Sequence, residues 1–327
     1  MTPVIDSQAT GELLRKVPLV VRSWWDVDIG LRMISSRRAF PTIAKAWWTD
    51  VTIPPEKIVE LAEASGFDAE LRVAAMARRA KMTARQSVYY IDKDERKGRE
   101  LDFSITASAR DKSADPTVSC VVHICVEVKK TKDPFIFFTS PRGRVEPGEA
   151  FALIRWLHNV DNKVLDASDI ERKRPSGRPP RLARAYHGAK GSGSQQIQSG
   201  VLSAVKAALH FRDECCERWS EDSRDVSFFM PVLVVDGPLC ECYIDEETNE
   251  LQGAVVDELV YAQNYLSDNY GDVSSQVYVV SIDRFAEILE SYRNWAESIV
   301  QKLIETRDRT PISNLNNEVM EEWLKRH

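Results

Sequence analysis

The sequence lacks the features that would place the chain in a membrane or in a disulfide-stapled secreted fold. Its longest early apolar run, residues 17–21, is far shorter than the roughly 18 residues that a membrane-spanning helix needs. No cleavage motif of small residues follows that run. None of the six cysteines forms the C-x-x-C spacing of a zinc site. We therefore expect a cytoplasmic protein with no membrane partner, whose thiols are reduced and mostly buried.

The motifs of several large enzyme classes are also missing. The sequence has no G-x-x-x-x-G-K-[ST] loop, no G-x-S-x-G elbow and no H-E-x-x-H helix. Nucleotide hydrolysis by a phosphate-binding loop therefore has no support in the sequence. No internal repeat and no long low-complexity segment is visible either.

What the sequence does have is an uneven distribution of charge. Apolar residues make up 43% and charged residues 29% of the 327 residues, which is typical of one large or two small globular domains. Residues 1–210 contain 34 Lys and Arg against 25 Asp and Glu, whereas residues 211–327 contain 10 against 25. The first two thirds can therefore face a polyanion, although the formal net charge of the chain is −6.

Hydrophobic periodicity predicts an α/β fold. Two short helical patterns precede four strand patterns, and a polar turn separates the first two strands. The predicted helices are 54–65, 68–81, 149–160, 195–211 and 283–305, and the predicted strands are 85–92, 99–107, 117–129, 135–139, two within 227–244, and 276–282.

Composition divides the chain into three segments. Residues 1–53 form an N-terminal segment to which the sequence assigns no role, residues 54–210 form the core, and residues 211–327 form a C-terminal α/β portion packed on that core. Within the core, residues 171–194 are rich in basic residues, proline and glycine, which predicts a mobile loop. The acidic C-terminal portion, with its helix at 283–305, is a candidate partner surface.

A glutamate and a lysine interrupt the apolar strand at 117–129. Residues two apart on a strand share a face, so Glu127 and Lys129 point the same way while the valines beside them point into the core. In an earlier strand, Asp102 alternates with Leu101 and Phe103, which places Asp102 on the polar face. A buried charge is costly unless it is neutralised or partnered. The alternative is an edge strand whose outer face simply carries charges.

Two carboxylates and a lysine in this arrangement suit phosphodiester hydrolysis. If the two strands are neighbours, Asp102 and Glu127 converge on one hard cation. Mg²⁺ usually takes only one or two carboxylates and fills its remaining positions with waters and substrate phosphate oxygens. A lysine beside the ion can orient a bound water, while the metal lowers the pKa of that water and neutralises the phosphate.

These residues resemble the PD-(D/E)XK superfamily of restriction-endonuclease-like nucleases. Its core is a helix bearing a glutamate, then a strand with an aspartate, then a strand with (D/E)-x-K, matched here by Glu70, Asp102 and Glu127-x-Lys129. The segments RELDF, VEVKK and PFIFF, and more faintly PVLVVDGPL, are similar to a bacterial branch often associated with phage defence. The resemblance implies an α/β fold with a restriction-endonuclease-like core, in which helices flank a mixed β-sheet.

The resemblance also implies a role for each matched residue. Asp102 and Glu127 are expected to be the metal ligands, and Lys129 the base that orients water. Glu70, expected to hold a metal-bound water, is on its own more typical of a helix-dipole residue. The implied accessory residues, which contact the active site or phosphate from the helix after the strands, are Gln196 and Gln198.

The basic segment at 171–194 has two interpretations. It either supplies contacts to the phosphate backbone of a nucleic acid or is a solvated linker. The candidate nucleic-acid-binding residues are Arg172, Lys173, Arg174, Arg178, Arg181, Arg184 and Lys190.

By this resemblance we expect a Mg²⁺-dependent deoxyribonuclease, with Mn²⁺ able to substitute, that acts as an endonuclease, and the resemblance further implies an association with defence against phage. A homodimer or a partner protein of a defence system is the expected assembly, because one active site cuts one strand. Two alternatives stay open. One is a nuclease-like fold that binds a nucleic acid or a protein without cutting, and the other is a nuclease that cleaves RNA.

Overall fold

The computed structural model describes residues 53–113, 117–140, 155–158, 181–189, 191–216 and 223–306. They all belong to one unit that begins at Ile53. The predicted N-terminal segment lies outside the described residues except for Ile53, as do residues 171–180 and 190 of the basic segment at 171–194.

Four helices lie in the described ranges, and their ends follow local sequence rules. The first begins at a proline pair, whose fixed φ suits the first turn of a helix. It ends at Gly66, whose φ of 85° is the left-handed conformation that glycine adopts without steric cost. None of the four is long and apolar enough to cross a membrane. The helices are α1 (Pro55–Ser65), α2 (Phe67–Arg79), α3 (Gly193–Cys216) and α4 (Ile282–Thr306).

Eleven strands lie in the same described ranges and join in one sheet. They are β1 (Thr83–Asp92), β2 (Lys97–Asp111), β3 (Thr117–Lys130), β4 (Phe135–Thr139), β5 (Arg155–His158), β6 (Leu182–Gly188), β7 (Ser223–Asp236), β8 (Leu239–Ile244), β9 (Leu251–Val255), β10 (Glu258–Ser267) and β11 (Gly271–Ser281).

The sheet is mixed and strongly non-sequential. Its order is β1-β2-β3-β7-β11-β10-β6-β4-β8-β9, with β5 paired to β7. The pairs β3 with β7, β7 with β11, β10 with β6, and β4 with β8 are parallel, and the other neighbouring pairs are antiparallel. Strand β7 lies in the middle of this order, which explains its near-continuous apolar run.

Helices cover both faces of the sheet. On one face α2 and α4 pack against β2, β3 and β7, where the Phe228 and Trp295 rings lie 4.2 Å apart between centroids. On the other face, α3 packs through a stripe of small and branched residues against β7 and its neighbours. The fold is therefore a mixed α/β sheet flanked by helices, as the sequence predicts at that level. Strand β3 lies in the interior of the sheet, between the two helical layers.

Two secondary-structure predictions are wrong. Residues 149–160 were expected to be a helix, but 155–158 form β5, an antiparallel partner of β7. The tertiary pairing overrides the helical propensity of this segment. Residues 171–194 were expected to be a mobile loop, but Leu182–Gly188 form β6 between β4 and β10. The basic and polar composition of β6 misleads because much of its length is exposed to solvent.

Candidate active site

Strands β2 and β3 are antiparallel neighbours, which confirms the condition for Asp102 and Glu127 to meet. Their ladder begins at the pair Phe103↔Val126, so Asp102 and Glu127 follow immediately on the two strands. The Asp102 carboxylate accepts a hydrogen bond from the Val128 backbone N–H at 2.7 Å, through Oδ2. The Asp102 side chain thus accepts the backbone N–H of Val128 at the point where the β2–β3 ladder ends.

The simple alternation expected around Asp102 does not hold. Phe103 packs with the cluster under α2 and α4, whereas Leu101 packs with Ala207 of α3 on the other face. On the neighbouring strand β1, Ser87 lies between the two residues that pair with Leu101 and Phe103, and its φ of 52° is in the left-handed region. Asp102 therefore lies where the strand changes the face on which it packs.

Glu127 is a buried carboxylate with both oxygens engaged. Its residue is 5% exposed. Its Oε1 accepts a hydrogen bond from the Ser203 hydroxyl at 2.6 Å, and its Oε2 accepts one from the Lys129 ammonium at 2.9 Å. Because β3 is an interior strand flanked by β2 and β7, the edge-strand alternative is wrong. The polar face of this strand is covered by α3.

The sequence did not single out Ser203, which contacts the Glu127 carboxylate, or Tyr90, which contacts Ser203. The Tyr90 hydroxyl donates to the Ser203 Oγ at 3.3 Å, so Tyr90, Ser203 and Glu127 form a hydrogen-bonded chain. A signal was present in the sequence of α3. The polar residues of that helix recur at helical spacing beside its apolar stripe, at Gln195, Gln198, Ser199, Ser203 and Lys206.

The two carboxylates and the lysine perturb one another. Burial raises the pKa of Glu127 to about 7, and nearby Asp102 adds to this while Lys129 opposes it. Burial also raises the pKa of Asp102, against the hydrogen bond from Val128 and the charge of Lys129. Burial disfavours the Lys129 ammonium, but Glu127 and the other nearby carboxylates outweigh it and raise the pKa of Lys129. Lys129 therefore stays charged at neutral pH.

Glu70 lies at the margin of this group. It is in the first turn of α2, where its Oε2 accepts a hydrogen bond from the Gln86 side-chain amide at 2.8 Å. Partial burial raises the pKa of Glu70, with a contribution from the charge of Asp102 and an opposing one from Lys129. The structure thus brings the four residues of the sequence motif into one electrostatic environment.

Two cavities open on either side of Lys129. The Tyr90 cavity has a volume of about 510 Å³, and its lining includes Tyr90, Glu127, Lys129 and Gln198. The Glu70 cavity has a volume of about 990 Å³, and its lining includes Glu70, Lys129, Lys132 and Gln196. Lys129 lines both cavities, and the two accessory glutamines face different ones. The Lys129 side chain is therefore accessible from both cavities.

The described part of the chain contains no group of three or more His, Cys, Asp or Glu side chains placed to hold a metal ion. Asp102 and Glu127 are adjacent carboxylates, which is the number that Mg²⁺ usually takes from a protein. They are the described residues of the motif that could hold such an ion.

The basic residues proposed for nucleic-acid contacts are only partly described. Arg181 is engaged within the protein, because its guanidinium lies 3.7 Å from the centre of the Tyr243 ring and its Nε lies 3.7 Å from Glu241 Oε1. Arg184 is exposed on β6. The remaining five, Arg172, Lys173, Arg174, Arg178 and Lys190, lie outside the described residues, and their role stays a prediction.

The raised pKa of Glu127 predicts a pH dependence of folding stability. The folded protein binds this proton more tightly than the unfolded chain, so the stabilisation is full below about pH 4.5 and is lost as pH rises through about 7. The free energy of unfolding of the wild type, minus that of Glu127→Gln, should fall by roughly 3 kcal/mol over this range. Urea unfolding at several pH values measures it, and a flat difference would contradict the burial of an ionising Glu127.

Comparisons with protein-family models, with curated proteins and with solved structures give no match for this chain. Its function must therefore be inferred from the residues of the candidate site and their geometry.

Proposed function

We propose that this protein is a metal-dependent nuclease that hydrolyses DNA phosphodiester bonds at Asp102, Glu127 and Lys129. One observation carries the proposal. The Glu127 carboxylate and the Lys129 ammonium, 2.9 Å apart, are held on an interior strand beside Asp102, with Glu127 buried and Lys129 lining two cavities. Charges are costly to bury, and a purely structural pair would be replaced by apolar residues at little cost.

The donor set fits a divalent cation held by two carboxylates. Among the residues that the structure describes, Lys129 is the cation that compensates the charges of Asp102 and Glu127, and burial raises the pKa values of both carboxyl groups. A cation between them would supply the missing positive charge. When bound, it would lower the pKa of a coordinated water and neutralise charge on the phosphate. The remaining coordination positions would be filled by water and substrate oxygens.

The chain's own residues supply orientation and hydrogen bonds. Because Lys129 stays an ammonium, it acts as a donor that orients a water or a phosphate oxygen, and the role of proton-accepting base passes to another group. Glu70, whose carboxylate is partly exposed near Lys129, is placed to accept a hydrogen bond from water. Glu127 and Asp102 hold fixed positions through the Ser203 and Val128 donors.

The order of elements supports a restriction-endonuclease-like core. Helix α2 carries Glu70, β2 carries Asp102, β3 carries Glu127 and Lys129, and α3 covers the opposite face of the sheet. These elements are joined in the order that the resemblance implies. The helices α2 and α3 close the site from two sides.

A second candidate function has a specific observation in its favour. Both oxygens of Glu127 are already hydrogen-bonded to protein groups, and the described residues offer only two adjacent carboxylates. These contacts also suit a nuclease-like fold that binds a nucleic acid without cutting it. Cleavage of RNA is the third candidate, and it differs from the first only in the substrate.

The test is metal-dependent cleavage of supercoiled plasmid by the full-length protein. Mg²⁺ or Mn²⁺ should support nicking, EDTA should abolish it, and Asp102→Asn should slow it by about 10²-fold or more, because a charge that stabilises the transition state is lost. Glu297→Gln, which neutralises an exposed acid on α4, serves as the control and should cut normally. A wild type that retards DNA in a gel without cutting it in either metal would favour the binding function. Cleavage of single-stranded RNA but not of plasmid would change the substrate.

A further inference from the structure

Helix α3 approaches the Glu127-x-Lys129 pair through two residues one turn apart, Gly200 and Ser203. Gly200 lies against the stem of Lys129, and Ser203 reaches the carboxylate of Glu127. Neither residue belongs to the sequence motif, and α3 begins more than 60 residues after Lys129 along the chain. The helix thus contacts both charged partners from the layer that covers the sheet.

Position 200 is occupied by glycine because side chains from the sheet approach the helix backbone closely there. A Cβ built on it would lie 3.1 Å from Lys129 Cε, 3.5 Å from Lys129 Cγ and 2.8 Å from Leu233 Cδ1. Glycine is less favourable than alanine inside a helix, so its presence in the interior of α3 needs another explanation. The missing side chain lets the Lys129 stem lie directly along the helix backbone. Leu233 is the β7 residue paired with Glu127, so the contact lies at the same level of the sheet.

Ser203 fixes the other partner. Its hydroxyl donates to Glu127 Oε1 at 2.6 Å and accepts from the Tyr90 hydroxyl at 3.3 Å, while Lys129 donates to Oε2. The hydroxyl therefore has one donor and one acceptor partner, which defines the direction of its proton. With one oxygen held by α3 and the other by its own strand, the carboxylate of Glu127 cannot rotate freely.

We propose that Gly200 and Ser203 are positioning residues, which set the reach of the Lys129 ammonium and the orientation of the Glu127 carboxylate, with Tyr90 supporting Ser203. The catalytic consequence rests on the proposed nuclease function, whereas the positioning itself does not. Each acts through a charged neighbour, as partners that orient ligands commonly do.

The first experiment measures cleavage kinetics of Ser203→Ala, Ser203→Thr and Gly200→Ala on plasmid. Ser203→Ala should lower kcat by about 10- to 100-fold with little change in KM, because it loosens a group that acts in the transition state. Ser203→Thr keeps the hydroxyl and should recover most of kcat. Gly200→Ala should lower kcat by pushing the Lys129 stem aside. The control is Ser298→Ala, which removes a hydroxyl bonded within α4.

The second experiment needs no activity and separates failure of this inference from failure of the nuclease function. Double-mutant cycles in urea unfolding pair Ser203→Ala with Glu127→Gln, and Gly200→Ala with Lys129→Ala, which removes the Cγ and Cε atoms that face Gly200. Each cycle should be non-additive by at least about twofold in the unfolding equilibrium constant, because residues in contact are coupled.

The outcomes are distinct. Additive cycles would overturn the positioning, as would a Ser203→Ala or Gly200→Ala protein with wild-type kcat. Coupled cycles in a protein that cleaves neither DNA nor RNA would keep the positioning and reject the nuclease function. If Ser203→Ala does not fold, the kcat of Ser203→Thr and the Gly200 cycle still decide the matter.

Discussion

Lys129→Met should lose cleavage of plasmid DNA by about 10²- to 10³-fold, the loss that follows removal of one positioned hydrogen-bond donor from a reacting centre. Methionine keeps the length and much of the packing of the stem against Gly200 but removes the ammonium. Glu127 then loses the positive charge that opposes the rise of its pKa, so this pKa rises further. Metal binding should weaken above all near neutral pH, where Glu127 would carry a proton.

The measurement is the rate of nicking in a single turnover with saturating Mg²⁺, together with urea unfolding to verify the fold. Lys97→Met is a matched control, because Lys97 completes the same Glu-x-Lys spacing with Glu95 in the exposed β1–β2 turn. It should cut as the wild type does. Equal rates for the Lys129→Met protein and the wild type would remove Lys129 from the chemistry and leave the Glu127 pair as a structural feature.

The comparison of Lys129 with Lys97 explains why the Glu127-x-Lys129 motif could be recognised in the sequence. Both follow an acid by two residues, but only the pair at Glu127 is embedded in an apolar strand, where a charge must be neutralised or partnered. The structure provides two partners for that acid, Lys129 and Ser203. Lys129 is two residues from Glu127 on the same strand, so the sequence reveals this partner. Ser203 is not revealed in this way, because it belongs to a helix that is distant in the chain.

Local patterns also predicted the strands that bring the acids together. The described bounds of β1, β2, β3 and β4 contain the predicted segments, since alternation and β-branched composition mark strands with one or two buried faces. The adjacency of Asp102 and Glu127 follows from the antiparallel pairing of β2 and β3, which are close in sequence. What the pattern missed was the change of face at Asp102, because alternation within β2 does not reveal which helical layer each residue packs against.

The strands that sequence reasoning missed or misassigned are those stabilised by remote partners. β5 and β6 are short and pair with β7, β10 and β4, so their conformation depends on contacts made far along the chain. β9 and β10 were not predicted, because β9 is an exposed edge strand and the outer half of β10 alternates only weakly. Local propensity carries little information where tertiary pairing decides the structure.

Lys206→Met should lower the free energy of unfolding by about 3–5 kcal/mol, the cost of removing one partner from a buried ion pair. Lys206 is 7% exposed, and its Nζ donates to the two Asp92 oxygens at 3.1 and 3.0 Å and lies 2.9 Å from Asp94 Oδ2. Asp92 is itself only 3% exposed. The rings of Tyr265 and Tyr270 lie 5.1 and 5.3 Å from the ammonium. The variant would leave the Asp92 carboxylate buried without its cation.

The same network has a defined pH dependence. Burial acts to raise the pKa of Asp94, but hydrogen bonds from Tyr265, Lys206 and other groups outweigh it and lower this pKa below its usual value. The stabilisation from Asp94 is therefore present above about pH 4 and is lost as pH falls below it. Lys206→Met should show a shallower loss of stability in acid than the wild type. Lys57→Met, which breaks an exposed pair with Glu60, should cost less than about 1 kcal/mol and serves as the control.

A second substitution separates the two contributions of Lys206, its charge and its stem. Asp92→Asn keeps an oxygen that can accept the Asp94 backbone N–H, now 3.0 Å from Asp92 Oδ1, but removes the charge. If the unpaired Asp92 carboxylate causes the loss, adding Asp92→Asn to Lys206→Met should restore part of the stability, because the buried charge at position 92 is removed. If the double variant is no more stable, the loss comes from packing of the stem. Because Lys206 lies one turn after Ser203 on α3, a loss of charge pairing should also loosen the helix that positions Glu127.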